Sequence, residues 1–185
     1  MIFKNQKKER NIMNITAKEV KKMLKEHGFE TKKIRVRVEH FGYGSMSINV
    51  KLMDVTLDYS AIDKLLRSTY QEIRQDEHVQ GEYLEGCNMY VRCSYDEDVF
   101  EQAIEEMYPR AKKIYADLES QNTYNGKTIF ENDKIKAVAF FKNKVITIMS
   151  KANKSGAYPK HLFHSCNDLA ETLVLLENGQ PFGAI

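Results

Sequence analysis

The densest grouping of reactive side chains lies late in the chain, where Lys142, Lys144, Lys151, Lys154 and Lys160 flank Tyr158, His161 and His164. Histidine exchanges protons near neutral pH because its unperturbed pKa is about 6.5. Two histidines beside lysines could therefore cleave RNA without a metal. One ring would take the 2′-hydroxyl proton, the other would protonate the leaving oxygen, and a lysine would stabilise the phosphorane. This makes His161 and His164 the candidate catalytic pair, with the five lysines and Tyr158 as candidate RNA contacts. The plainer alternative is two ordinary histidines beside a strand or helix end. Their spacing of three could also suit a metal on a helix, but no carboxylate stands nearby before Asp168 and no third ligand offers itself. No metal is expected there.

A second grouping sits earlier, where Arg35 and Arg37 precede Phe41 and Tyr43 in the stretch Phe41-Gly-Tyr-Gly-Ser45. The two glycines supply turn geometry. The functional alternative stacks bases on Phe41 and Tyr43 beside the two arginines, as aromatic platforms with nearby cations do for single strands. Asp76, Glu77, Glu82 and Glu85 form an acidic cluster. It reads as a solvated loop, with a metal-dependent nuclease site as the alternative, while the wider acidic stretch 38–133 could instead mimic nucleic acid. The chain lacks Gly-x-Gly-x-x-Gly, a phosphate-cradling Gly-x-x-x-x-Gly-Lys, Gly-x-Ser-x-Gly and the paired-histidine metalloprotease motif, so no cofactor is expected.

Charge is segregated along the chain. Residues 1–37 hold twelve Lys and Arg against four Glu, and residues 38–133 hold nine basic against nineteen acidic side chains. Residues 134–167 carry seven lysines and no acid, while the tail from Asp168 adds three carboxylates, leaving a net charge of +2. Basic blocks of this kind are footprints for phosphate-rich partners, unless folding interleaves them with the acidic middle. No apolar run approaches the roughly 18 residues that span a bilayer. The lysines near the N-terminus are followed by no apolar signal core. Cys87, Cys93 and Cys166 are odd in number and show no Cys-x-x-Cys spacing, which argues against disulfides and a four-cysteine zinc site. The expected location is the cytoplasm, with no membrane partner.

The elements that must position these groups follow from periodicity. Thr16-Ala-Lys-Glu19 is a capping box opening a helix with Val20, Met23 and Leu24 inward, closed by Gly28. Ile34, Val36 and Val38 alternate with Arg35, Arg37 and Glu39, and Met46, Ile48, Val50 and Leu52 alternate beyond the glycine turn, predicting a hairpin. Ser60 is the expected cap of a second helix. Met89, Val91 and Cys93 alternate with Tyr90, Arg92 and Ser94, predicting a third strand. A long helix follows Tyr95, with Pro109 expected to kink or restart it. Two apolar runs, 135–141 and 145–149, predict a second hairpin. The stretch 150–158 is expected to be a loop, and Asn167 or Asp168 to cap a last helix. The resulting class is α+β with a mainly antiparallel sheet, in the order α-β-β-α-β-α and then β-β-α. The expected organisation is a basic tail over residues 1–13, an α+β domain over 14–108, and a helix with a basic hairpin region over 109–185.

Residues 16–95 resemble the large polyvalent protein associated domains, whose core is a helix, a hairpin with a Gly-Ser turn, a second helix and a Gly-Asn-aromatic strand. The resemblance rests on Thr16-Ala-Lys-Glu-Val20, Phe41-Gly-Tyr-Gly-Ser-Met-Ser-Ile-Asn-Val50 and Asn88-Met-Tyr-Val91. Cys87 stands where a glycine often precedes the asparagine. Such domains occur in large proteins of phages and conjugative elements. Smaller proteins with a similar N-terminal module and a variable C-terminal part look like inhibitors of type II CRISPR systems, some of which damage the guide RNA. The resemblance thus implies an RNA-guided nuclease, its guide RNA, or both as partner, with trimming of the guide RNA as one activity. The alternative is a non-enzymatic module that scaffolds nucleoprotein complexes during element transfer. A third reading is an acidic surface that blocks a DNA-binding enzyme.

Overall fold

The computed structural model describes residues 15–41, 45–72, 88–121, 124–152 and 160–179, together with the backbone of 78–79 and 82–83. The tail 1–13, Tyr43, Lys154, Tyr158, the side chains of Asp76, Glu77, Glu82 and Glu85, and Cys87 lie outside the described residues. The fold class is α+β, with two compact units: residues 1–51 with 62–93, and residues 52–61 with 94–185.

In the first unit α1 (Ala17–Glu26) opens with the predicted capping box, in which Thr16 Oγ1 accepts from the Glu19 amide while Glu19 accepts from the Thr16 amide. Val20 and Leu24 are its buried residues. Strands β1 (Ile34–His40) and β2 (Met46–Leu52) form the predicted hairpin, closed by a Phe41 amide donating to Ser45 O at 2.8 Å. Helix α2 (Tyr59–Tyr70) buries Ile62 and Leu66. The Ala61 amide donates to Asp58 Oδ1 near the start of this helix, so Asp58 supplies the bond that Ser60 was expected to make. A short antiparallel pair, β3 (His78–Val79) with β4 (Glu82–Tyr83), precedes β5 (Met89–Tyr95).

The sheet order is β1-β2-β5. The Met46 amide donates to Asn88 O and the Asp96 amide donates to Leu52 O. Start meets start and end meets end, so β2 and β5 run parallel, with α2 in the crossover between them. Sequence periodicity alone did not reveal this parallel pair inside a largely antiparallel protein.

In the second unit α3 (Glu97–Gln121) runs for 25 residues with Pro109 inside it, so the helix neither stops nor restarts there. Both Pro109 and Glu105, whose carbonyl loses the bond that the proline cannot donate, are exposed, so that carbonyl is not buried without a partner. Along the chain the two compact units change over at Lys51/Leu52, Ala61/Ile62 and Cys93/Ser94. Four strands follow: β6 (Lys127–Glu131), β7 (Ile135–Phe140), β8 (Val145–Ser150) and β9 (Lys160–Leu162), paired in that order and antiparallel throughout. Strands β7 and β8 are the predicted second hairpin, while β6 and β9 were not predicted.

Helix α4 (Cys166–Glu177) has Ser165 as its N-cap and Asp168 at the third position of a capping box. The cap therefore lies two to three residues earlier than expected. Ala111 and Leu118 of α3, Leu169, Leu173 and Leu176 of α4, and Ile129, Ala137, Ala139, Ile146 and Phe163 make one buried cluster. Ala137 and Ala139 keep that face of the sheet low, which lets the helices close on it. Among the described residues no helix is long and apolar enough to cross a membrane.

Candidate nucleic-acid interface

Alternation along the first unit's strands sorts their side chains onto two faces. In β2, Met46, Ile48, Val50 and Leu52 are each at most 1% exposed, and in β5 Met89, Val91, Cys93 and Tyr95 are buried. Cys93 faces Asp63 and Arg67 of α2. Burial, reinforced by Asp63 and opposed by Arg67, pushes its thiol up to about 12. The opposite face carries Arg35, Arg37 and Glu39 of β1, Asn49 and Lys51 of β2, and Tyr90 and Arg92 of β5. Arg35, Arg37, Tyr90 and Arg92 are exposed. Together the three strands hold four Arg and Lys side chains against one carboxylate, Glu39.

That carboxylate is an organiser. Arg37 Nε lies 3.0 Å from Glu39 Oε1, yet the arginine side chain stays 79% exposed. Asn49 Nδ2 donates to Glu39 Oε2 at 2.9 Å, and Ser47 Oγ donates to Asn49 Oδ1 at 3.2 Å. Arg35, Val36, Arg37, Glu39, Asn49 and Lys51 line a surface cavity of about 400 Å³. Phe41, 53% exposed, stands at the hairpin end of the same sheet. The result is a cationic, hydrogen-bonding surface with aromatic rings beside it, the composition that binds a nucleic-acid backbone and its bases.

No protein-family model, no curated protein and no solved structure matches the chain.

The C-terminal candidates are dispersed. Lys144 turns inward: its Nζ lies 3.4 Å from the Phe141 ring centroid and donates to Tyr115 Oη at 3.0 Å. The Tyr115 and Phe163 centroids lie 4.8 and 5.7 Å from the same ammonium. Lys151 pairs with Glu131 at 2.9 Å and Lys136 approaches the same carboxylate at 3.6 Å. The hydrogen-bonded Lys151 ammonium, with Lys136 behind it, holds that carboxyl below its ordinary range. Lys142 sits 4.6 Å from the Tyr124 ring centroid, and both residues are exposed. Lys160 is exposed at the edge strand. Of the lysines named from the sequence, Lys142, Lys151 and Lys160 are exposed among the described residues, Lys151 with its ammonium held by Glu131.

The two histidines occupy different surroundings. His161 pairs with Ile146 across β8 and β9, which puts it on the face shared by Ile146 and the helices. Burial raises the Glu171 carboxyl above its usual range, and His161 acts on it in the opposite sense. His164 is exposed just before α4, with its amide donating to Asp168 Oδ2 at 2.7 Å and its carbonyl accepting from Tyr115 Oη. Among the described residues no group of three or more His, Cys, Asp and Glu side chains is placed to hold a metal.

Lys51, Tyr90, Arg92 and Asn49 are residues of this candidate surface that sequence reasoning missed. The alternation of Tyr90, Arg92 and Ser94 against buried neighbours was the signal that could have found two of them.

Proposed function

We propose that this chain is an RNA-binding inhibitor from a mobile element, acting on the RNA-guided nuclease of a type II CRISPR system through its guide RNA. The observation that carries the RNA-binding part is the sheet face bearing Arg35, Arg37, Lys51 and Arg92, to which the three strands themselves contribute one carboxylate, Glu39. Guanidinium groups favour phosphate because their planar donors match its oxygens in pairs. The nuclease as target comes from the resemblance of residues 16–95, the same segment that builds this sheet. The reading is one of binding: the guide RNA is held and withheld from productive use, and its length is unchanged.

The test combines three readouts on the full chain: affinity for guide RNA, RNA length on a denaturing gel, and DNA cleavage by the loaded nuclease. Guide RNA should bind, remain intact and lose function, and Arg37→Ala with Arg92→Ala should weaken binding and inhibition together. RNA affinity indifferent to both arginines would overturn the proposal. Shortened RNA that His161→Ala restores to full length would replace binding by cleavage.

A further inference from the structure

The parallel pairing fixes which side chains stand beside one another on the exposed face. In a parallel ladder a residue donates to the one before its partner and accepts from the one after it. Met46 donating to Asn88 O sets Met46 opposite Met89, and Asp96 donating to Leu52 O sets Leu52 opposite Tyr95. Both bonds give the same offset, so Ser47 stands opposite Tyr90 and Asn49 opposite Arg92. The polar chain of Arg37, Glu39, Asn49 and Ser47 therefore leads across β1 and β2 directly to the row of Tyr90 and Arg92. Residues two apart on a strand are about 6.6 Å apart and neighbouring strands about 4.8 Å. Tyr90 is 40% exposed at the edge of this surface, one strand from the hydrogen-bonded amide of Asn49.

Resting on the RNA-binding reading above, we infer that the nucleic acid taken by this face is single-stranded RNA, with a base stacked on Tyr90 and flanking phosphates on Arg37 and Arg92. Two features of the surface select a single strand. Three strands span only about 10 Å between the outer two, and seven-residue strands run about 23 Å. Proteins that recognise an RNA duplex by shape reach across about 16 base pairs. Duplex bases, moreover, are already stacked on one another, so an exposed ring gains nothing from them. Splayed bases of a single strand instead stack on aromatic side chains and offer their edges to amides and carboxylates, here Asn49 and Glu39. The Arg37–Glu39 contact keeps the guanidinium stationed at the rim of this surface, which makes Glu39 a positioning residue.

Fluorescence anisotropy with the full chain tests this on three probes of equal length: an unstructured single-stranded RNA, its blunt duplex, and an abasic strand that keeps the phosphates. The single strand should bind at least about tenfold more tightly than the other two. Tyr90→Ala should weaken it by about five- to a hundredfold, the range for removing one stacked base contact. Tyr90→Phe should retain affinity, because the ring and not the hydroxyl carries the contact. If duplex and abasic strand bind as well as the single strand, and Tyr90→Ala changes nothing, the single-strand inference falls while the phosphate-binding face stands, provided Arg37→Ala and Arg92→Ala weaken all three probes. If the arginine variants weaken none, the RNA-binding reading falls as well. The wild-type comparison of abasic with intact strand decides the inference even where Tyr90→Ala disturbs the fold.

Discussion

Replacing Lys144 by alanine should destabilise the second unit and leave RNA affinity unchanged. The residue closes the Phe141–Lys144 turn, with its amide donating to Phe141 O and its carbonyl accepting from the Phe163 amide. Its φ is +52°, the left-handed region that a lysine adopts at a cost. That cost is met by the ammonium, which lies within 6 Å of three aromatic centroids and donates to Tyr115 Oη. A partly desolvated cation–π contact contributes about 0.5–2 kcal/mol, and a charge-assisted hydrogen bond about 1.5–3 kcal/mol. Desolvation of the ammonium offsets part of this, so a net loss of about 2 kcal/mol is expected. Lys144→Gly loses the same contacts but relieves the backbone strain, and should be about 1 kcal/mol more stable than the alanine variant. With ten tyrosines and no tryptophan in the chain, near-UV circular dichroism of tyrosine during urea denaturation is the appropriate signal. Unchanged stability in Lys144→Ala together with weakened RNA binding would refute the inward assignment and return Lys144 to the phosphate contacts.

Further outcomes follow from single sites. Burial acts to raise the Asp168 carboxyl, but hydrogen bonds from the His164 amide and from Ser165 outweigh it and hold the pKa below its ordinary value. The stabilisation is therefore complete above the unfolded value of about 3.9 and is lost as pH falls through the lower folded value. Asp168→Asn should cost about 1 kcal/mol at pH 7, as loss of a cap does, and flatten stability profiles below pH 5. A β-carbon at Gly126 would lie 2.4 Å from Val138 Cγ1 and 2.7 Å from the Phe140 ring. Because Val138 is stiff at χ1, Gly126→Ala should destabilise by about 1–3 kcal/mol in the same denaturation assay. With its thiol pushed up to about 12, Cys93 should resist iodoacetamide at pH 8 in the native protein and react in urea, as read by mass spectrometry.

Much of the fold was legible because its determinants are local. The box at Thr16–Glu19, the alternation in β1, β2 and β5, and the hairpin of β7 and β8 are each written within a few adjacent residues. What was hidden depends on partners distant in sequence. Strand β9 is only three residues long and exists because β8 offers it an edge. Pro109 reads as an interruption, yet the helix passes through it at an exposed position, where losing one backbone bond costs little.

The site was obscured by counting charge in blocks. Lys51 and Arg92 lie in the acidic stretch 38–133, and only the sheet order carries them beside Arg35 and Arg37. Conversely, the acid-free stretch 134–167 looks like a uniform cationic surface. Within it Lys144 is drawn into an aromatic cluster, while Lys151 and Lys136 share the carboxylate of Glu131 from the neighbouring block, which offsets one of their two charges. Linear charge therefore pointed to the second unit, and topology moves the stronger candidate to the first.

The most direct measurement of the central claim is the salt dependence of single-stranded RNA affinity for the wild type and the Arg37→Ala/Arg92→Ala double variant. Each phosphate neutralised on a single strand contributes about −0.7 to the slope of log Kobs against log salt, so three to four contacts predict a slope of about −2 to −3. Loss of two arginines should reduce its magnitude by about 1.4. A wild-type slope near zero, or one that the double variant leaves unchanged, would contradict the assignment of the β1-β2-β5 face as the RNA-binding surface.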